Sequence, residues 1–264
     1  MADLSKVSFG IVGALDRSLI RELAPRIEAA GFRSIWLNDS PDGDSLEGLA
    51  VAAGVTTTLK LATGVIPLDR RPASAIAEAL RLLHLPENRL VLGIGTGSPK
   101  DGLRRVADAI EELREVTSAT IVVGALGPKI RKLGAEQADG LLLSWLTPEA
   151  AFVAMADLRR DEAAVGRSGG QGILYTRTAV TPEGLRAMVA ESARYQSIPS
   201  YAANFNRIRA KAIDTTIYEK ESVRLRFRIE QYTKSIDEIV LRAITGANTL
   251  EAYVRLVDVV SAAD

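Results

Sequence analysis

The sequence contains no cysteine and only one histidine. The missing thiols exclude disulfide bonds, thiolate metal sites and a cysteine nucleophile, and a single imidazole cannot build a histidine-rich metal site. We therefore predict that the protein has no metal centre. We also expect its chemistry to depend on a bound organic cofactor.

The sequence also lacks any apolar run close to the roughly 18 residues that a membrane-spanning helix needs. Residues 1–6 are acidic and polar and lead directly into an apolar segment, without the pattern of a secretory signal. Basic and acidic side chains balance at 33 each, so the net field gives no reason to expect a polyanionic partner. These absences favour a cytoplasmic protein that binds neither membrane nor nucleic acid and acts on a small molecule.

What the sequence does contain is an alternation of short β-branched runs with longer segments of helical periodicity. This alternation is typical of a parallel sheet with crossover helices, and it repeats about eight times. The predicted strands are residues 7–12, 34–37, 60–65, 89–94, 119–123, 139–144, 173–180 and 236–243. The predicted helices are residues 18–30, 45–57, 73–85, 100–117, 128–136, 148–164, 182–195 and 250–260. The sequence therefore predicts a (β/α)8 barrel, a TIM barrel, formed as a single domain by residues 1–264.

Two stretches depart from this alternation. Residues 167–172 (RSGGQG) are rich in glycine, and we interpret them as a loop rather than a domain boundary because a strand pattern resumes at once. Residues 198–233 are less regular, but Tyr201, Phe205 and Ile208 have helical spacing, as do residues 219–232. We predict two or three helices inserted there, before strand eight.

In barrels of this kind the functional face is formed by the loops that follow the strands. The residues at these positions are small or polar in this chain, so a flat ligand could approach the backbone. They are Asn38, Asp39 and Ser40 after strand two, Gly64, Val65 and Ile66 after strand three, Gly95 to Ser98 after strand four, and Gly124 to Gly127 after strand five.

Two of these loops are candidate phosphate sites. The segment from Gly124 to Lys129 (GALGPK) places glycines and a lysine at the beginning of a helix, where free amides and the helix dipole favour an anion. The segment from Gly95 to Ser98 (GTGS) lacks the GxGxxG pattern of dinucleotide sites, and a tight turn between strand and helix explains it equally well.

Asp39 is the candidate general acid or base, because a carboxylate at a barrel mouth can be shielded enough to shift its pKa towards neutrality. A loop aspartate that caps the next helix is the alternative. His84 precedes Pro86 near a helix end on the opposite side of the barrel, which argues against a catalytic role.

Aromatic and basic side chains also lie near predicted strand ends. Trp145 could stack on an aromatic cofactor or plug the barrel mouth, whereas Trp36 lies within a strand and is predicted to be core. Arg70, Arg71 and Arg177 could bind an anionic substrate or tail, although surface arginines are usually only solvated.

Four segments in order, GFRSIWLND, LKLATGVIPLDRRPASAIAEAL, NRLVLGIGTGS and VVGALGPKIRKLGAEQADGLLL, carry a family resemblance. The first has a GF pair before a strand that carries tryptophan and ends in an acidic residue, and the second has a TGV turn followed by RP. The third has an LGxGxG run, and the fourth has a glycine turn before ADG. Over residues 9–145 the chain resembles the bacterial luciferase-like family of flavin and deazaflavin oxidoreductases. The resemblance implies the same barrel fold as the strand pattern.

The resemblance also implies a cofactor, the deazaflavin coenzyme F-420 or else FMN, lying across the strand ends. It implies a cis peptide bond between Gly64 and Val65 beneath the ring, and a cofactor phosphate near the turn at residues 124–129. The resemblance therefore predicts contacts to the cofactor from residues at the ends of strands two to six. They are Asn38, Gly64, Val65, Gly95, Thr96, Gly97, Gly124, Ala125, Leu126, Gly127, Lys129, Ser144 and Trp145.

The function that this resemblance implies is an F-420-dependent oxidoreductase that transfers hydride to or from a small organic substrate, with Asp39 or water managing the proton. The alternatives are an FMN-dependent monooxygenase and a non-catalytic flavin-binding barrel. The chain departs from the family pattern at Ser40, where histidine is common, and in the short segment at residues 98–102. A homodimer is expected from the family alone.

Overall fold

Eight parallel strands close into a ring in the computed structural model, which describes residues 4–98 and 100–262. Residues 1–3 of the N-terminal segment and Pro99 in the loop after the fourth barrel strand lie outside the described residues. The barrel strands are β1 (Val7–Ile11), β2 (Ser34–Leu37), β3 (Lys60–Thr63), β4 (Leu90–Gly95), β5 (Thr120–Gly124), β6 (Gly140–Ser144), β7 (Gln171–Ala179) and β8 (Glu238–Ala243). This confirms the predicted (β/α)8 barrel.

The ring closes because β8 pairs with both β7 and β1. Val7 lies opposite Ile239 in one pairing, and Glu238 lies opposite Ile173 in the other. Alternate side chains point to opposite faces of each strand, so every strand contributes to an inner and an outer core. The inner core is a buried cluster of Trp36, Ala62, Val91, Val122, Leu142, Ile173, Tyr175 and Val240. Trp36 is therefore a core residue, as predicted.

The helices follow the strands as the sequence predicts, with ends shifted by a few residues. They are α1 (Arg17–Ala29), α2 (Ser45–Ala53), α3 (Ala73–Leu83), α4 (Gly102–Val116), α5 (Pro128–Gln137), α6 (Pro148–Ala163), α7 (Pro182–Gln196), α8 (Pro199–Ile208), α9 (Ser222–Thr233) and α10 (Leu250–Ser261). None of the helices in the described parts of the chain is long and apolar enough to cross a membrane.

Helix α1 shows how local sequence sets an element. Asp16 accepts a hydrogen bond from the backbone N–H of Ser18 at the helix beginning. Ile20, Leu23 and Ile27 then fall on one face and are fully buried against the sheet. Gly31, with φ +88°, turns the chain toward β2, in a conformation that glycine adopts without steric cost.

The predicted insertion before β8 is present and holds two helices, α8 and α9. Between them lie a 3-10 turn at Ala212–Thr215 and a two-residue strand, Ile217–Tyr218, that pairs with the end of β7. The glycine-rich residues 167–170 form a loop between α6 and β7, where the buried carboxylate of Glu162 accepts a hydrogen bond from the Gly170 N–H. Both irregular stretches therefore have the structure that the sequence predicts.

A buried carboxylate ties together three strands at the amino-terminal end of the barrel. Oε1 of Glu238 accepts hydrogen bonds from Ser8 Oγ at 2.6 Å, Ser34 Oγ at 2.7 Å and Trp36 Nε1 at 2.8 Å. Its second oxygen lies 3.1 Å from Nε of Arg33. These five residues, which we call the barrel plug, join β1, β2 and β8 on the side opposite the functional face.

Candidate active site at the carboxyl ends of the strands

Asn38 lies at the centre of the barrel mouth and connects three strands. Its amide nitrogen donates to the carbonyl oxygen of Gly64, and its Oδ1 accepts from Nε of Arg242 at 3.0 Å. The Tyr175 hydroxyl is 3.4 Å from the same oxygen. The mouth is therefore lined at this point by polar groups from β2, β3, β7 and β8.

The peptide bond between Gly64 and Val65 is cis, as the family resemblance implies. The side chain of Val65 lies across the ends of β4 and β5, where glycine is required. A Cβ atom at Gly95 would lie 2.7 Å from one Val65 methyl group, and a Cβ atom at Gly124 would lie 2.8 Å from the other. These glycines therefore make room for Val65, which in turn forms part of the floor of the mouth.

The turn after β4 is held by side chains of this protein. A carboxylate oxygen of Asp69 accepts the Ser98 N–H at 2.7 Å, and Arg105 donates to the Thr96 carbonyl at 2.8 Å. Gly97 has φ +63°, and a Cβ atom there would lie 1.8 Å from Asp69. These contacts explain the glycine and threonine as parts of a tight turn, the alternative that the sequence left open.

The turn before α5 has a different character. Gly127 is the N-cap of α5 without any side-chain cap, and the space where its Cβ atom would lie is open. Lys129, in the first turn, is exposed and forms no ion pair within the described ranges. Ala125 is buried and donates its N–H to Leu142, so its own amide is already used. The free amides at the beginning of α5 and the adjacent lysine remain open to an anion.

Two arginines that sequence reasoning missed reinforce this turn. Arg207 of α8 donates to the Leu126 carbonyl at 3.4 Å. Nε and Nη2 of Arg131 are buried and have no hydrogen-bond partner among the described residues. Burial, and then repulsion from Arg207, lower the pKa of Arg131 to about 10. Two buried guanidinium nitrogens without partners are costly, and a bound anion would relieve that cost.

The Asp39 carboxylate is largely buried and is engaged by protein groups. Its carboxylate lies 2.6 Å from Nη2 of Arg70 and 3.6 Å from Nη1 of Arg71, and it accepts from Ser45 Oγ at 3.0 Å. It borders a cleft of about 510 Å³ between the loops after β1 and β2. Ser40 lies in the same cleft, and its Oγ is buried without a partner in the part of the chain described. Asp39 therefore contacts the first residue of α2, whereas the side chain that caps this helix is that of Asp44.

Trp145 and Ser144 are both predicted to line the cofactor pocket. In the structure both are in contact with Arg177. The Arg177 guanidinium carbon lies 3.8 Å from the centre of the Trp145 ring, and its Nη1 donates to Ser144 Oγ at 2.8 Å. Tyr195 and Phe205 pack against the same indole, which is 1% exposed. Trp145 is thus enclosed by Arg177 and by residues of α7 and α8, and a cofactor ring would reach it only if Arg177 moved.

The remaining candidate residues lie apart from the mouth. His84 is exposed and caps the C-terminal end of α3 with φ 49°, on the amino-terminal side of the barrel as predicted. Within residues 4–98 and 100–262 there is no cluster of three metal-binding side chains. The groups that converge at the mouth are therefore amide, phenol and guanidinium groups.

Comparison with known proteins finds a family match over part of the chain. Residues 12–120 match the family described as luciferase-like monooxygenase. Over these residues the chain is similar to that family. Over 177 residues it is 27% identical to the 5,10-methylenetetrahydromethanopterin reductase of Archaeoglobus fulgidus, an alignment that covers 53% of each protein. It is 30% identical over 137 residues to a Mycobacterium tuberculosis protein named as a coenzyme F-420-dependent oxidoreductase, covering 47% of this chain and 40% of that protein.

The chain spans about half the length, or less, of the curated relatives it matches. Solved structures match along its whole length at lower identity. An F-420-dependent secondary alcohol dehydrogenase in complex with an F-420–acetone adduct superposes with a TM-score of 0.75 at 13% identity, covering 98% of this chain and 100% of that one. The monooxygenase RslO1 from Streptomyces bottropensis gives 0.72 at 16% identity, covering 97% of both chains. At these identities the structures establish the shared barrel fold.

Proposed function

We propose that this protein is a coenzyme F-420-dependent oxidoreductase that transfers hydride to or from a small organic substrate. The match of residues 12–120 to the luciferase-like family supports the proposal, as do two relatives whose names specify reductase or F-420-dependent oxidoreductase activity. The alternative within the family is an FMN-dependent monooxygenase.

The observation that carries the proposal is the concentration of unpaired positive charge at the beginning of α5. Lys129 is exposed and has no carboxylate partner within the described residues. Arg131 presents two buried nitrogens without hydrogen-bond partners there, and Arg207 lies close enough to lower its pKa. With the free amides after Gly127, these groups fit a phosphate or phosphodiester, which both F-420 and FMN carry.

The other residues of the mouth would position a ring. When bound, the deazaflavin supplies the group that donates or accepts hydride. Val65, packed over Gly95 and Gly124, offers an apolar surface beside the cis peptide bond. Asn38 fixes the Gly64 carbonyl and the Arg242 guanidinium with its two amide atoms.

Tyr175 stays protonated at neutral pH, because burial raises the pKa of its hydroxyl to about 12. It can therefore donate a hydrogen bond at the mouth but does not serve as a base near pH 7. Asp39 remains the proposed acid or base, although Arg70 and Ser45 already engage its carboxylate. A water molecule in the adjacent cleft is the other proton source that the geometry supports.

The deciding experiment is a fluorescence titration of the purified protein with F-420 and with FMN. Lys129→Ala and Arg131→Met should each raise the dissociation constant roughly tenfold or more, because each removes a charge-assisted contact to phosphate. Lys132→Ala is the matched control, since Lys132 lies on the same helix and pairs with Glu136.

Each outcome of that titration has a meaning. Preference for F-420, weakened by the two α5 variants alone, supports the proposal. Preference for FMN would favour the monooxygenase alternative. Binding of neither cofactor, or unchanged affinity in both variants, would contradict the phosphate site. The cytoplasmic location, the single-domain organisation and the homodimer remain predictions, which fractionation, limited proteolysis and light scattering would test.

A further inference from the structure

Two arginines occupy matching positions on neighbouring strands at the barrel mouth. Arg177 of β7 and Arg242 of β8 are partners in the parallel pairing of these strands, so their backbones are separated by about one strand spacing, roughly 5 Å. Tyr175 and Val240, two residues earlier on each strand, belong to the inner core. Because side chains alternate along a strand, both arginines project toward the barrel interior.

Protein groups hold each guanidinium in place but leave part of it available. Arg177 uses Nε for Glu191, at 3.0 Å, and Nη1 for Ser144, and its plane lies over Trp145. Arg242 uses Nε for Asn38 and Nη1 for the Ala243 carbonyl. In neither case does Nη2 have a hydrogen-bond partner among the described residues.

The charge at this position is not balanced. Glu191 neutralises Arg177, but no carboxylate pairs with Arg242 within residues 4–98 and 100–262. Each Nη2 atom keeps some solvent contact, although Arg177 as a residue is only 8% exposed and Arg242 is half-buried. The mouth thus presents one net positive charge and two donor nitrogens from adjacent strands.

From this arrangement we infer that Arg242 binds the carboxylate of the substrate, with Arg177 beside it on the adjacent strand, so that the substrate is a small organic acid. The free Nη2 atom of Arg242 can donate to a carboxylate oxygen, and the net charge of the pair matches its single negative charge. Asn38 and the Trp145 ring position the two guanidinium groups for this contact. The inference rests on the proposed function for the reaction, but the anion site can be tested without cofactor.

The first measurement is the thermal stability of the cofactor-free protein in acetate, succinate, phosphate and chloride at equal ionic strength. A ligand that binds only the folded state raises the midpoint as its concentration exceeds its dissociation constant. We expect the carboxylates to stabilise the wild type more than chloride does, and to quench or shift the tryptophan emission through Trp145. Arg242→Met, which keeps the aliphatic stem, should weaken carboxylate binding about tenfold to a hundredfold.

Arg81→Gln is the matched control, because Arg81 is exposed on α3 and far from the mouth. Arg242→Gln is a second variant in case the first folds poorly. Equal stabilisation by chloride, or an undiminished carboxylate effect in both variants, would overturn the inference. So would a response to phosphate with none to acetate or succinate.

The same variants separate this inference from the proposed function. Arg242→Met should weaken the binding of F-420 less than the binding of carboxylates, because the proposed phosphate site lies at α5. A loss of F-420 affinity as large as the loss of carboxylate affinity would mean that the acidic tail of the cofactor is the occupant, and would overturn the assignment to substrate. If F-420 and FMN both fail to bind while carboxylates bind through Arg242, the anion site stands and the proposed cofactor fails.

Discussion

The barrel plug makes a quantitative prediction about stability. Glu238 is 3% exposed and accepts three hydrogen bonds on one oxygen, while its other oxygen pairs with Arg33. Glu238→Ala would remove the acceptor that Ser8, Ser34 and Trp36 share, leaving them only their bonds to one another, and would leave Arg33 without its partner. Each lost bond to a buried neutral donor costs about 1 kcal/mol, and breaking a buried ion pair raises the total to about 3–5 kcal/mol.

Glu238→Gln tests the pairing with Arg33, because the amide oxygen can still accept from Ser8, Ser34 and Trp36 while the amide nitrogen replaces the oxygen that faces Arg33. We expect it to cost about 2–3 kcal/mol. For a chain of this size each kcal/mol lowers the midpoint by about 2–4 °C, so Glu238→Ala should lower it by roughly 6–20 °C. Glu111→Gln, on an exposed face of α4, should change the free energy of unfolding by less than about 0.5 kcal/mol.

Urea unfolding followed by tryptophan fluorescence and by far-ultraviolet circular dichroism would measure these values. The midpoint should fall while the slope m stays constant, since the variant removes contacts without changing the surface exposed on unfolding. A cost below about 1 kcal/mol for Glu238→Ala, with an unchanged slope, would refute the reasoning. It would mean that water or a shifted side chain satisfies the three donors.

Three further predictions concern the functional face and the buried phenols. Asp39→Asn should lower turnover and leave cofactor affinity unchanged, as measured by steady-state kinetics and titration. Normal turnover in this variant would mean that Asp39 has only a structural role at the beginning of α2. Gly97→Ala should lower the free energy of unfolding by about 1–3 kcal/mol in thermal unfolding, because φ is positive at this position and an added Cβ atom would strike Asp69. The control Gly166→Ala, where φ is +71° but the space is open, should lower it by only about 1 kcal/mol. The folded pKa of Tyr175, about 12, exceeds the unfolded value near 10, so its contribution to stability is complete below pH 10 and disappears as the pH rises to about 12. Tyrosinate absorbance during alkaline unfolding would measure this loss. Tyr175→Phe should make stability depend less on pH between about 10 and 12.

Local patterns were sufficient to predict the fold. The strand at Ser34–Leu37 was predicted with its observed bounds, because a helix-ending glycine and an acidic turn enclose a short apolar run. The strand predicted at residues 60–65 ends instead at Thr63, directly before the cis peptide bond. That bond follows from the family resemblance, whereas no propensity of glycine or valine indicates it.

The site was only partly predictable, because its parts come from distant segments. The turn at residues 124–129 has a local signature, a glycine cap followed by proline and lysine. Arg207 reaches that turn from 81 residues away, and Arg242 meets Asn38 across 204 residues. No periodicity reports such contacts. Arg177 was a candidate for its position near a strand end, but its stacking on Trp145 depends on the inserted helices that enclose the indole.

The plug also has a consequence for how the chain folds during synthesis. Ser8 and Glu238 are separated by 230 residues, yet they share a hydrogen bond at the point where β1 and β8 meet. Until the ribosome releases β8, the growing chain has an incomplete sheet with unpaired edges on β1 and β7, and such edges recruit other strands. Closure of the ring is therefore a late, long-range event, and nascent chains that stall before Glu238 should be the species that aggregate and that chaperones retain.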